Sequence, residues 1–181
     1  MYGIVNKAIQ ELVSEQFGSD AWIRVKQKSG VGVDFFSSNE PYPDDITFKL
    51  ARAASEELKL PLDEVLRAFG HFWIMRTGKE RYGALMEAGG SNLHDFLMSL
   101  PQFHNRILLM FPQLCPPEFV VKETGTGAME VHYYSQRQGL EIFVQGLLEG
   151  LGLLYNTPIT VSQTQTRANG HDHAIFAISW Q

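Results

Sequence analysis

The sequence runs to 181 residues with 44% hydrophobic side chains and a formal net charge of −5, enough apolar material for one or two compact cores but not for a large multidomain assembly. Its 15 Lys and Arg residues are scattered, so the phosphate-neutralising stripe of a nucleic-acid binder and the basic patch of an anionic-membrane binder are both missing. Cys115 is the single cysteine, which excludes an intrachain disulfide and a paired-cysteine zinc site; with no apolar run near the ~20 residues of a membrane span and no signal-peptide core at the start, the expectation is a soluble cytoplasmic protein.

From Ile4 to Phe17 the residues Val5, Ile9, Leu12, Val13 and Phe17 recur at helical period. Ser19 or Asp20 then caps a second helix carrying Trp22, Ile23 and Val25. Residues 30–43, rich in Ser, Gly and Pro, read as a loop. Asp44 or Asp45 opens a helix to about Leu58, and Pro61 begins the next. That helix, from Leu62 to Thr77, places Leu66, Phe69, Gly70, Trp73 and Ile74 on one face. A short helix is expected from Tyr82 to Ala88, and Ser91 or Asn92 caps the segment that follows.

Beyond Cys115-Pro116-Pro117 the grammar changes. EFVVKET and AMEVHYYSQR read as strands joined by a turn at Thr124–Gly127. GLEIFVQGLLEGLGLLYN returns to helical period, and PITVSQTQ and HAIFAISW are strands separated by the turn Arg167–Gly170. Strand, strand, helix, strand, strand predicts a small antiparallel sheet with a helix packed on it.

Two constellations carry chemistry. In NLHDFLMSLPQFHNRILLMF, the residues Leu93, Leu97, Leu100, His104, Leu108 and Phe111 fall on one helical face. Pro101 should mark a helix start or a kink one turn before His104. A neutral imidazole in an apolar wall is a good iron ligand; the same pattern also describes a hydrogen-bonded core histidine. In VHYYSQR, Tyr133, Ser135 and Arg137 are separated by twos, which on a strand brings a phenol, a hydroxyl and a guanidinium to one face. Those groups suit a guest with exposed carboxylates, and haem has two propionates at one edge. The alternative is a solvated strand face with Arg137 paired to a surface acid.

His104 and the Tyr-x-Ser-x-Arg stretch occur together and in this order, and the whole chain resembles the H-NOX family, the haem nitric-oxide/oxygen-binding domain also found at the N-terminus of the soluble guanylate cyclase β subunit. The resemblance lies in MYGIVNKAI, AFGHFW, SNLHDFLMSLPQFHNRI, FPQLCPP, HYYSQRQGL and GHDHAIF. It implies an α+β fold: an N-terminal helical part over about 1–62, then haem-anchoring helices and a sheet of about four antiparallel strands over about 63–181, the whole of 1–181 forming one domain with haem between the parts. The implied cofactor is haem b, iron protoporphyrin IX. By the same resemblance His104 is the proximal iron ligand, Tyr133, Ser135 and Arg137 hold the propionates, and Pro117 presses the porphyrin out of plane. Trp73, Ile74 and Phe143 match distal positions, and Tyr2 and Val5 match a lid.

Members of the family that hold dioxygen place a tyrosine hydroxyl over the ligand, because dioxygen gains negative charge at ferrous iron and nitric oxide needs little such help. Phe143 stands at that position here, and a shift of one residue would substitute Ile142 or Val144, none of which is a donor. The expectation is a sensor of nitric oxide that also binds carbon monoxide and excludes dioxygen. Gas binding would loosen the tie at His104 and repack its helix, and the resemblance to single-domain bacterial members points to a histidine kinase or cyclic-dinucleotide enzyme as the partner. Rival readings are a dioxygen-binding haem sensor, a haem carrier and a haem enzyme. The last lacks a recognisable distal acid–base group or thiolate ligand. His171-x-His173 has the spacing of a metal site but is read as a turn feature, and His94 as exposed.

Overall fold

Helical period in the first half and alternation in the second are both realised in the computed structural model, which describes residues 1–181. In chain order the helices are α1 (Gly3–Phe17), α2 (Ser19–Ser29), α3 (Asp44–Leu58), α4 (Leu62–Phe72), α5 (Lys79–Glu87), α6 (Leu93–Met110) and α7 (Glu141–Leu154). The strands are β1 (Glu118–Gly125), β2 (Ala128–Tyr134), β3 (Ile159–Gln165) and β4 (Ala174–Trp180). They form one antiparallel sheet in the order β1-β2-β4-β3. The fold is α+β, and no helix is long and apolar enough to cross a membrane.

The apolar residues collect in two cores. One gathers Ile9, Leu12 and Val13 of α1, Val25 of α2 and Leu50 and Ala54 of α3, together with Val65 and Phe69 of α4. The other packs Leu93, Phe96, Leu97 and Leu100 of α6 and Val144, Leu148 and Leu151 of α7 against the inner sheet face of Met129, Val131, Phe176 and Ile178. The first core therefore reaches past residue 62, and α4 belongs to both halves.

Three sequence expectations change. The helix predicted over Leu62–Thr77 is α-helical only to Phe72; Trp73–Gly78 is a π-helical segment that runs directly into α5 at Lys79 rather than at Tyr82. Gly78 permits the wide turn, since a Cβ there would lie 3.0 Å from the Trp73 carbonyl oxygen. Pro101 does not start a helix: α6 is continuous from Leu93 to Met110, capped by the Asn92 side chain, which accepts from the Asp95 amide at 2.9 Å. Finally β2 ends at Tyr134, so Ser135 and Arg137 lie on the bend beyond the strand.

Helices α4 and α7 cross with backbones in contact. A Cβ on Gly70 would sit 2.4 Å from the Phe143 carbonyl oxygen, and one on Gly146 would sit 2.2 Å from that of Arg67. At the rim Glu149 of α7 accepts from Arg67 at 2.7 Å and is 2.7 Å from Nε2 of His71, both on α4. Because the atom a new methyl would meet is backbone, only separation of the helices relieves the clash. Gly146→Ala should lower the unfolding free energy by about 3 kcal/mol, the upper part of the usual overpacking range. Urea melts read this, and an unchanged midpoint would show that the close crossing is not required.

Candidate functional site

Between the two cores lies a cavity of about 260 Å³, with 28 of its 35 wall residues hydrophobic, so a guest must be largely apolar. All ten residues singled out from the sequence line it: Tyr2, Val5, Trp73, Ile74, His104, Pro117, Tyr133, Ser135, Arg137 and Phe143.

His104 enters from α6, where period and cap aim it at the sheet. Its Nδ1 lies 2.9 Å from the Leu100 carbonyl oxygen, one turn back. A carbonyl can only accept, so in the neutral ring Nδ1 carries the proton and Nε2 keeps its lone pair. Burial pushes the His104 pKa below the ordinary imidazole range, outweighing the bond to Leu100. Phe103 and Phe119 flank the ring at centroid distances of 5.6 and 5.0 Å. Both readings of this histidine thus stay open: it is hydrogen-bonded to its own helix, and its second nitrogen keeps a lone pair with no protein partner, as a metal ligand would need.

At one edge of the cavity the polar groups converge. Tyr133 faces inward from β2, 5.5 Å from the Phe119 ring; burial pushes its phenol up, opposed by Ser135. Ser135 Oγ accepts from the Arg137 amide at 3.1 Å. The Arg137 guanidinium is anchored from two sides, by Nε–H to Asp44 Oδ2 at 2.7 Å and Nη1–H to the Cys115 carbonyl at 2.6 Å, with a longer Nη2 contact to Asp44 Oδ1 at 3.4 Å. Of its five N–H groups, one on each terminal nitrogen remains for a carboxylate guest. Asp44 also accepts from the Met1 amino group. Burial pushes the Asp44 carboxyl up, but the hydrogen bonds from Met1 and Arg137 prevail and hold it below the usual carboxylate range.

In the wall facing α6, Phe143 carries no donor, while Trp73 brings an indole N–H to the same cavity. Phe143 stacks at 4.9 Å on Phe69, which meets Trp73 edge-on at 6.1 Å. Of the three candidate positions on α7, Phe143 and Val144 line the cavity and Ile142 does not. Tyr2 closes the N-terminal side: its ring lies 4.9 Å from Phe111, and its hydroxyl accepts from the Gln113 amide at 3.3 Å.

Sequence reading missed Asp44 as the partner of Arg137, because 93 residues separate them and one reads locally as a helix opener, the other as a strand residue. It also missed Tyr82, Met86 and Phe119 in the cavity wall. His94 is half-exposed rather than free, with Nε2 2.5 Å from Glu123 of β1. His171 and His173 form no metal cluster with other residues.

The donor set fits haem: an apolar slot, one imidazole lone pair in its wall, and hydroxyl, phenol and guanidinium donors at a single edge. The family model described as Haem-NO-binding matches residues 2–163. Among relatives, soluble guanylate cyclase gcy-35 of Caenorhabditis elegans is 28% identical over 99% of this chain and 27% of its own length. Guanylate cyclase soluble subunit beta-2 of Rattus norvegicus is 27% identical over 65% of the chain and 18% of its own. The chain spans about a quarter of the length of the first of these curated relatives. An H-NOX protein from S. oneidensis in the Fe(II)NO ligation state superposes with a TM-score of 0.91, covering 100% of this chain and 99% of that one at 20% identity. Unliganded H-NOX from K. algicida gives 0.87 over 100% and 97%, also at 20% identity. These structures establish the fold.

The Arg137–Asp44 pair should respond to acid in one direction. The folded state favours the charged carboxylate, so the contribution is complete above the unfolded value near ~4 and is lost as pH falls through the lower folded value. With the Asp44 side chain 38% exposed, solvent screening limits the pair to about 0.5–1 kcal/mol. Asp44→Asn should show that deficit in urea melts at neutral pH and a progressively smaller one as pH falls below ~4; a deficit that does not change with pH would mean the charge is not what matters.

Proposed function

The chain belongs to the haem-NO-binding (H-NOX) family of gas-sensing haem domains, and from that premise we propose that it holds haem b through His104 and signals nitric oxide while excluding dioxygen. The observation that carries this reading is the His104 ring, with Nδ1 tied to Leu100 and Nε2 left as an unshared lone pair in an apolar cavity. When bound, ferrous haem supplies an iron atom open to a diatomic gas on the side away from the imidazole.

His104 would hold the iron in this proposal, kept neutral by burial so that no proton competes for its lone pair. Tyr133, Ser135 and the two spare Arg137 N–H groups take the propionates. Pro117, rigid and in the cavity wall, shapes the porphyrin, and Tyr2 and Val5 form the lid. Phe143, with Ile74 and Trp73, lines the gas side. A ligand that needs a hydrogen bond to stay finds no donor on Phe143 or Ile74, whereas nitric oxide and carbon monoxide do not need one.

A change in the tie at His104 is felt first by α6, because the ring is bonded back into its own helix through Leu100. The output is then a repacking of α6 against the sheet, a shift between two arrangements favoured by different ligand states. We assign residues 1–181 to a single sensing unit in the cytoplasm and its output to a histidine kinase or cyclic-dinucleotide enzyme in trans. The near-complete coverage of the S. oneidensis chain supports treating residues 1–181 as one folded unit. Retention is favoured over haem carriage by the anchored guanidinium at the cavity edge.

Absorption spectra of the reduced protein under argon, air, carbon monoxide and nitric oxide test the whole reading. Nitric oxide and carbon monoxide should move the Soret band and air should not. His104→Gly should lose the axial tie, with free imidazole restoring it in place. Phe143→Tyr should gain a band shift under air. A colourless wild-type protein, or one that shifts under air, overturns the proposal.

A further inference from the structure

Alternation along β2 sends Tyr133 into the cavity and turns Glu130, His132 and Tyr134 to the opposite, outer face of the sheet. His132 is flanked by Val120 of β1 and Ile175 of β4, and its side chain is only 9% exposed. Its Nδ1 lies 2.9 Å from Nε2 of His173, whose own Nδ1 lies 2.6 Å from Asp172 Oδ1. The Asp172 carboxylate only accepts, so His173 donates through Nδ1 and accepts through Nε2, and His132 must donate through Nδ1. That leaves the lone pair of His132 Nε2 sealed and without a hydrogen-bond partner. Glu130 Oε2, another acceptor, is 3.7 Å away from it. The line Asp172–His173–His132–Glu130 is one proton short of closure.

Its surroundings hold it open near neutrality. Burial lowers the His132 pKa, and the neighbouring Lys122 and His173 add to that, against the pull of Glu130. Lys122, on β1, sits opposite Glu130 in register. Tyr134 stacks on His173 at 4.2 Å with the rings 19° apart, and Gln165 donates to the His173 carbonyl at 3.0 Å. The acceptor end is therefore pre-positioned, and the side chains free to move are Glu130 and Lys122.

We propose that this line is a proton-responsive latch, in which His132 takes one proton from solvent in mild acid, its Nε2–H engages Glu130 two residues back on the same strand, and the charged imidazolium tightens the Nδ1–H bond it already makes to His173 at the entry to β4, directly behind Tyr133. Closing it pins Glu130 and stiffens the strand whose other face meets the propionate edge. The second consequence, a change in haem retention with acidity, rests on the haem reading above; the proton uptake does not.

Carbon–proton correlation spectra of the full chain, labelled at histidine and titrated from about pH 8 to about pH 5, give the His132 midpoint. It should lie below the ordinary ~6.5, and Glu130→Gln, at a half-exposed position that leaves the core intact, should lower it by a further ~0.5–1 unit. In parallel, haem transfer to an excess of apomyoglobin should slow several-fold across the same pH interval in the wild type and lose that step in Glu130→Gln. A midpoint at ~6.5, or one that Glu130→Gln leaves unmoved, overturns the latch. A shifted midpoint with parallel transfer profiles overturns its coupling to the pocket. A chain that holds no haem overturns the sensor reading, while the titration still decides the latch.

Discussion

One hydrogen bond sets the character of this cavity. The Leu100 carbonyl, one turn back on α6, accepts from Nδ1 of His104 and so fixes which imidazole nitrogen bears the proton. Without that bond the ring could turn either nitrogen to the cavity or present an N–H to it, and the apolar wall would offer no lone pair. Burial then does the rest by keeping the ring uncharged. The placement of α6 against β1, with Phe119 beside the ring, follows from packing that any amphipathic helix would accept; the tautomer does not. Chemistry here depends on a backbone acceptor one turn away, the cheapest kind of second partner a histidine can have.

The polar edge of the cavity is organised on a different principle. Arg137 reaches across from the bend after β2 to Asp44 at the start of α3, joining the two cores at a point where neither has apolar atoms to offer. The guanidinium is therefore a structural strut that keeps N–H groups to spare. Of the two readings open at the level of sequence, the ion pair with an acid is present, and it leaves donors with which a carboxylate could also be held.

Much of this was legible beforehand. Period and caps placed α1, α2, α3 and α6 within a residue or two, since a stripe such as Ile9, Leu12 and Val13 has few alternatives to burial. The four strands followed from alternation between polar and apolar residues, bounded by glycine-bearing turns. What stayed hidden was tertiary or sub-periodic. No local pattern pairs Asp44 with Arg137, and no wheel of 3.6 residues per turn shows that Trp73–Gly78 opens into a wider coil. The expected face shared by Tyr133, Ser135 and Arg137 arose by another route: the strand stops at Tyr134, and the bend, not the pleat, turns the last two toward the cavity. The resemblance named residues that do line one cavity, while the argument from a shared strand face reached their convergence for an incomplete reason.

The widened coil over Trp73–Gly78 has a consequence for how this region tolerates change. It accommodates one residue more than an α-helical path of the same length, and everything after it is phased accordingly. Removing a single residue there would let the chain revert to ordinary winding with α5 close to its present phase, so Tyr82 and Met86 would still face the cavity. The same removal from the regular winding of α4 would swing everything that follows by about 100° around the helix axis. Length can therefore change by one residue in this coil without rewriting a wall several residues downstream.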